Sequence, residues 1–149
     1  RRNHLGHDLM GSVGTPIIAV EGGYVEACGW NRFGGWRIGI RSFDGKRYYY
    51  YAHLRKDNPY EDIYEGKIVD AGEVIGYLGM TGYSTKENVN NINVPHLHFG
   101  LQLIFDKSQK DGNNQMDRHI CHYGISFFPS CRDGKSVRKN AEQKGHDSR

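Results

Sequence analysis

Short runs of apolar and polar residues, separated by glycine-rich turns, occupy the first two thirds of this chain. No segment before residue 106 has the 3.6-residue period of an amphipathic helix. The runs that predict β-strands are Pro16–Val20, Tyr24–Trp30, Trp36–Phe43, Lys46–His53, Glu73–Met80 and His96–Phe105. The segments 54–65 and 81–95 are polar and aperiodic, so they are expected to be loops. The pattern therefore predicts an all-β domain of antiparallel strands with few or no helices.

Two of the predicted strands are joined by Asp44-Gly45, a dipeptide that favours a type I′ hairpin turn. With these two residues as the turn, Ile40 is expected to face Tyr49 across the hairpin. The two-residue period of a strand then predicts one buried face, which consists of Trp36, Ile38, Ile40, Tyr49, Tyr51 and His53. The side chains expected on the opposite face are Arg37, Arg41 and Tyr48.

Composition and charge narrow the class of protein. The 149 residues include 20 glycines and 10 tyrosines, which favour short strands and tight turns. The formal net charge of +3 belongs wholly to residues 132–149, which hold six basic and three acidic residues, so residues 1–131 are formally neutral. A neutral body offers no basic face for nucleic acid. No run of about 18 apolar residues is present, so no membrane-spanning segment is predicted.

Histidines and one aspartate suggest a metal site. In His96-Leu-His98 a strand directs both imidazoles to one side, about 7 Å apart. His4 and Asp8 would lie about 13 Å apart in a straight strand, too far to share an ion. Gly6 between them permits the sharp bend that would bring them together.

A catalytic zinc site has three protein ligands and leaves a fourth position for water. His4, Asp8 and His98 would supply such a set, with one Zn²⁺ per chain. His96 and His53 would then be free for proton transfer and oxyanion stabilisation. Each motif alone is weak evidence, since an isolated histidine pair is more often structural. It is their coincidence in one small β-rich chain that favours the metal site.

The same residues lie within a pattern that resembles the M23 family, the lysostaphin-like, LytM-type zinc endopeptidases of bacterial cell walls. The resemblance covers residues 2–105, and the motifs that carry it are His4-x-Gly6-x-Asp8, Gly14-Thr15-Pro16, Tyr51-Ala-His53-Leu54, Gly79-x-Thr81-Gly82 and His96-Leu-His98-Phe99. It implies an antiparallel β-sheet sandwich or groove of the LytM (duplicated hybrid motif) type.

The resemblance also implies the chemistry. In the family pattern His4, Asp8 and His98 are zinc ligands, and His53 and His96 are catalytic histidines whose individual roles stay open. The implied activity is hydrolysis of peptide bonds in peptidoglycan, in the stem peptide or the cross-bridge. The implied location is extracellular or in the cell envelope. This fragment carries no signal peptide, and a membrane anchor upstream could be missing from it.

Two departures from the family pattern bear on the substrate. The approach to His96 is long and Asn-rich over Tyr83–Pro95, and Gly100 stands where family members commonly have a glutamate. An alternative function is a non-catalytic envelope module that binds peptidoglycan or a partner protein and keeps zinc as a structural ion. The intact His53 and His96 argue against it, because a structural site has no use for two unligated histidines.

The chain is predicted to consist of a catalytic domain over 1–115, in a fragment truncated at its N-terminus, and a C-terminal tail over 116–149. The tail has no useful periodicity. Reading its possible codons one base forward turns Met116 and Asp117 into a tryptophan codon, and the following codons permit an amphipathic closing segment similar to that of relatives. The tail is therefore either genuine sequence or the product of a frameshift, and resequencing of the coding DNA distinguishes the two.

Overall fold

A computed structural model describes residues 6–104 of the protein, which form eight β-strands and contain no helix. The strands are β1 (His7–Met10), β2 (Pro16–Ile18), β3 (Gly23–Asn31), β4 (Gly35–Ser42), β5 (Arg47–Ala52), β6 (Ile68–Val69), β7 (Val74–Tyr77) and β8 (His96–Leu103). In this part of the chain there is accordingly no helix long and apolar enough to cross a membrane. His4 and the proposed tail over 116–149 lie outside the described residues.

Six strands form one antiparallel sheet in the order β1-β8-β5-β4-β3-β6, and β2 pairs with β7 in a second, two-stranded sheet. This confirms the predicted all-β antiparallel fold. The short strands β1 and β6 were not predicted as strands. They contain only four and two residues, too few for an alternating pattern to be recognised.

The hydrophobic core lies between the two sheets. Ile17 of β2 and Ile75 of β7 belong to the same buried cluster as Ile38, Ile40 and Tyr51 of the larger sheet. Complete burial of one such aliphatic side chain contributes about 1.5–3 kcal/mol relative to leaving it in water. The smaller sheet thus covers one face of the larger one.

The β4–β5 hairpin has the predicted register, with Ile40 opposite Tyr49 and Ile38 opposite Tyr51. Its turn differs from the predicted type I′, which needs positive φ at both central residues. Gly45 has φ 71°, whereas Asp44 keeps a negative φ, and the Gly45 amide donates to Ser42 O at 2.9 Å. The Asp44 carboxylate accepts hydrogen bonds from Ser42 Oγ and the Lys46 amide, which stabilises a longer loop between the strands.

Both faces of this hairpin are buried, not one. On the face opposite the core, Arg41 is fully buried and Tyr48 and Arg37 nearly so. The Arg41 guanidinium forms a two-pronged ion pair with Glu26 of β3 and lies 5.6 Å from the centroid of the Tyr48 ring. A charge-assisted pair of this kind is the usual way in which an arginine becomes buried.

Candidate active site

The pairing of β1 with β8 places an aspartate against a histidine. Asp8 and His98 are directly opposite each other in the antiparallel register, so both side chains lie on the same face of the sheet. His98 Nδ1 is 3.0 Å from Asp8 Oδ1. The Asp8 side chain is 40% exposed and that of His98 is 13% exposed. The aspartate is therefore the more exposed member of the pair.

Gly6, directly before β1, lies against the His98 ring. It has φ 133°, a conformation that non-glycine residues rarely adopt. A Cβ atom there would lie 2.5 Å from Phe99 O and 3.0 Å from His98 Nε2. The backbone at Gly6 consequently lies directly on the His98 ring. The predicted approach of His4 to Asp8 falls outside the described residues.

His96 lies on the same side of β8 as His98, two residues away. Its Nδ1–H donates to Val94 O at 2.8 Å, because a carbonyl can only accept. Its Nε2 lies 3.8 Å from Asp8 Oδ1. The side chain is 15% exposed. His96 is thus oriented with Nε2 towards the aspartate, and in the neutral ring this nitrogen carries the lone pair.

His53 approaches the pair from the end of β5. Its ring centroid lies 4.9 Å from that of His96 and 6.1 Å from that of His98. His53 Nδ1–H donates to Thr81 O at 2.8 Å, which leaves the lone pair on Nε2. Burial lowers the pKa of His53 to about 4, against the opposing effect of the Thr81 carbonyl. The imidazole is therefore neutral at neutral pH.

The prediction that His53 shares the core face with Tyr51 is wrong. Alternation would place it there, since both numbers are odd, but His53 has φ 62° and lies beyond the end of β5. The left-handed conformation interrupts the two-residue period. The ring therefore lies against His96 and His98, which are on the opposite face of β8 from the core residues Leu97 and Phe99.

Backbone groups hold His53 tightly in this orientation. Its amide donates to Gly34 O at 2.7 Å and its carbonyl accepts from the Gly79 amide at 3.0 Å. A Cβ atom on Gly82 would lie 2.9 Å from His53 Nδ1, so the chain passes closely behind the ring. Such enclosure fixes both the tautomer and the direction of the free nitrogen.

Two of the three predicted metal ligands, Asp8 and His98, are adjacent. A tetrahedral zinc ion bound at 2.0–2.2 Å to each of two donors sets those donors roughly 3.4 Å apart, and the observed separation of 3.0 Å is close to that value. The carboxylate oxygen and imidazole nitrogen are also donors that zinc prefers. Residues 6–104 contain no group of three or more His, Cys, Asp or Glu side chains placed to hold a metal. Asp8 and His98 thus offer two donors at a spacing that suits a shared metal ion, and His4 stays a prediction.

Sequence reasoning did not single out Thr81, Tyr83 and Asn88. The Thr81 carbonyl holds His53, the Tyr83 ring stacks on it with centroids 6.0 Å apart, and Asn88 joins the Asn-rich loop to Trp36. The motif Gly79-x-Thr81-Gly82 contained one of them. The other two lie in a segment without periodicity, where no pattern distinguishes a bonded side chain from an exposed one.

Comparison with known proteins shows the family to which the chain belongs. The model of peptidase family M23 matches residues 2–115. The chain belongs to peptidase family M23. The L-Ala–D-Glu endopeptidase of Bacillus subtilis is an M23 relative in sequence, 44% identical over 101 residues, which are 68% of this chain and 30% of that protein.

M23-like solved structures share the fold. The catalytic domain of lysostaphin from Staphylococcus simulans is 35% identical, with a TM-score of 0.57 over 72% of each chain. A zinc-containing peptidase from Vibrio cholerae is 25% identical, with a TM-score of 0.56 over 67% of this chain and 27% of that one. The chain spans less than a third of the length of the curated relatives it matches.

Proposed function

We propose that this chain is a zinc-dependent endopeptidase that cuts peptide bonds in bacterial peptidoglycan. The observation that carries the proposal is the position of Asp8 and His98, which face each other at 3.0 Å beside two further histidines that are not needed as ligands. Membership of peptidase family M23 supports peptidase activity. The names of two relatives, an L-Ala–D-Glu endopeptidase of Bacillus subtilis and a peptidoglycan DD-endopeptidase of Vibrio cholerae, support a peptidoglycan peptide as the substrate. Such a substrate would place the protein outside the cell or in its envelope.

One Zn²⁺ would be held by His4, Asp8 and His98. Zinc supplies Lewis-acid activation of water and of the scissile carbonyl when it is bound. The Asp8 carboxylate would offset part of the ion's charge, and the β1–β8 pairing holds the aspartate beside His98.

His53 and His96 would move the protons. In both rings Nδ1–H donates to a backbone carbonyl, so both Nε2 atoms carry lone pairs that can accept a proton from the attacking water. Once protonated, either nitrogen can donate to the leaving amine or to the developing oxyanion. His53 is more deeply enclosed, whereas His96 faces the Asp8 carboxylate, so their contributions are separable by single substitutions.

Dye release from purified, dye-labelled cell walls tests the proposal. We expect the zinc-loaded protein to release dye, a chelator to stop it, and added Zn²⁺ to restore it. His98→Ala should lose both zinc and hydrolysis. His53→Ala and His96→Ala should keep zinc but lose hydrolysis, and the ratio of their residual rates separates the two roles.

The same assay distinguishes the proposed function from the rival function, a non-catalytic envelope module with a structural zinc. That function predicts binding of the protein to sedimented cell walls with no dye released at any zinc concentration. Zinc-free variants that retain hydrolysis would refute the metal-dependent mechanism.

A further inference from the structure

Left-handed backbone at non-glycine residues occurs at His53 and in the Asn-rich loop beside it. Five non-glycine residues have positive φ within residues 6–104, and four of them form two contacting pairs: His53 (62°) with Tyr83 (48°), and Asp57 (70°) with Asn88 (62°). Aspartate and asparagine tolerate this conformation, whereas an aromatic residue adopts it only when its surroundings impose it. The Tyr83 amide donates to Phe33 O at 3.2 Å, and the preceding amide, of Gly82, donates to Val89 O at 3.4 Å on the returning half of the loop. That returning half must in turn be held by further interactions.

The Asn88 carboxamide provides such interactions. Its Oδ1 accepts from Trp36 Nε1–H at 3.0 Å and from the Asp57 amide at 2.8 Å. Its Nδ2 donates to Asp57 Oδ1, also at 2.8 Å. One side chain thus joins the Asn-rich loop to strand β4 and to the segment that follows His53.

Tyr83 lies five positions before Asn88 and forms a wall beside His53. Its ring is nearly parallel to the His53 ring, at an angle of 22° with centroids 6.0 Å apart, and it meets the Phe33 ring edge-on at 5.9 Å. The Asn91 side chain donates to Tyr83 O at 2.8 Å. The tyrosine nevertheless remains 53% exposed, so part of its ring is available for contact with a substrate that reaches His53.

We propose that Asn88 is a positioning residue that holds Tyr83 against His53, and that the exposed part of the Tyr83 ring contacts the substrate beside His53. The second half of the proposal rests on the proposed peptidase function. The connection runs through the backbone: Asn88 holds the returning half of the Asn-rich loop, and the neighbouring Val89 carbonyl accepts from the amide of Gly82, directly before Tyr83. Loss of the three hydrogen bonds should release Tyr83 without removing any group that binds metal or transfers protons.

Substitutions at Asn88 and Asp57 can remove or restore these hydrogen bonds without changing the backbone conformation that position 88 requires. Asn88→Gly tolerates the positive φ but removes all three hydrogen bonds. Asn88→Asp keeps the two acceptor contacts but places a carboxylate against that of Asp57. The double variant Asp57→Asn/Asn88→Asp reverses donor and acceptor and restores the pair. Asn93→Gly, at an exposed position of the same loop, is the matched control.

The first measurement is a double-mutant cycle on hydrolysis of a soluble peptidoglycan peptide. Displacing a wall of the site should lower kcat/KM about tenfold in Asn88→Gly and in Tyr83→Ala. If Asn88 acts through Tyr83, the combined variant Tyr83→Ala/Asn88→Gly should have a kcat/KM no lower than that of Tyr83→Ala alone. The exchanged pair should recover most of the activity that Asn88→Asp loses. Additive losses, or an Asn88→Gly variant within about twofold of the Asn93→Gly control, would overturn the proposal.

The second measurement does not depend on activity. The NOE between the Tyr83 and His53 rings should be present in the wild type and in Asn93→Gly, and absent in Asn88→Gly. Retention of the NOE in Asn88→Gly refutes the positioning role. If the zinc-loaded wild type hydrolyses nothing while the NOE behaves as expected, the peptidase function and the substrate wall fail, and the positioning of Tyr83 stands.

Discussion

His98 Nδ1 lies 3.0 Å from Asp8 Oδ1, although 90 residues separate the two in sequence. Strand pairing alone produces this contact, because the two residues are opposite each other in the β1–β8 register. Both groups are good zinc donors, and their separation suits a shared ion. The candidate metal centre is thus a property of sheet register, and changes that disturb the register should disturb metal binding.

Asp8→Asn is the smallest change that tests the aspartate as a ligand. It preserves shape and β1 pairing but removes the negative charge that would bind the ion. We expect zinc affinity to fall more than tenfold, since even the partners that only support a ligand are worth 10–100-fold. Competition with a chromophoric chelator measures the affinity, and circular dichroism checks that the fold is kept. Unchanged zinc affinity in a folded variant would exclude Asp8 from the metal site.

Gly6→Ala should lower zinc affinity, whereas the same substitution at Gly29 should not. The new methyl group would meet Phe99 O at 2.5 Å and His98 Nε2 at 3.0 Å. Gly29→Ala is the matched control, because Gly29 also has a positive φ, 108°, but has nothing within 4 Å of the added atom. Both variants incur backbone strain of about 1–3 kcal/mol. Only Gly6→Ala is expected to weaken zinc binding as well; equal zinc affinities would mean that the chain near Gly6 yields without moving His98.

Thr81→Val should destabilise the protein although it adds no volume. The Thr81 hydroxyl is buried, donates to Leu54 O and accepts from the Trp36 amide. Valine leaves both backbone groups without this partner, which we expect to lower the free energy of unfolding by about 2–3 kcal/mol. Urea denaturation measures the change. Thr81→Ser keeps the hydroxyl, so its free energy of unfolding should fall by clearly less. A serine variant as unstable as the valine variant would mean that packing, and not the hydrogen bonds, causes the effect.

The Glu21–Arg47 pair should make stability depend on acid pH. Hydrogen bonds from Arg47 and Tyr49 hold the pKa of Glu21 below its ordinary value of 4.5. A lowered pKa in the folded state stabilises the protein above pH 4.5, and this contribution disappears as the pH falls through the folded-state pKa. We expect Glu21→Gln to melt lower than the wild type at pH 7.

The difference in Tm between the wild type and Glu21→Gln should shrink as the pH is lowered below about 4. High salt should also reduce it, because the Arg47 and Glu21 side chains are each about one-third exposed. Melting curves recorded from pH 3 to pH 7 provide the comparison. A difference that stays constant over this range would mean that charge at Glu21 contributes nothing.

The sequence predicted those parts of the fold that depend on local pattern. The β4–β5 register followed from Asp44-Gly45 and the alternating residues on either side of it. The turn type did not follow, because Asp44 bonds to Ser42 and Lys46 in a way that the dipeptide rule does not include. Strand β1 was missed because all four of its residues are exposed, which leaves no apolar period to recognise.

The residues of the candidate site could be nominated from their chemistry, but their surroundings could not. Asp8, His96 and His98 are brought together by strand pairing, which motif spacing reflects. The orientation of His53 depends on one left-handed residue at the end of β5, and strict alternation assigned it to the wrong face. Asn88 acts through hydrogen bonds to residues 31 and 52 positions away, and a single sequence contains no signal for contacts over that distance.

The strand that carries Asp8 is the outermost strand of the larger sheet, and within residues 6–104 its hydrogen-bonded neighbour is β8 alone. The free energy of local unfolding is smaller for such an edge strand than for the central strands of a sheet. An ion bound by both Asp8 and His98 would cross-link the edge strand β1 to its neighbour β8. Metal occupancy and attachment of this strand are then one linked equilibrium, so withdrawal of the ion would accelerate amide hydrogen exchange at His7–Met10 while β4 and β5 stay protected.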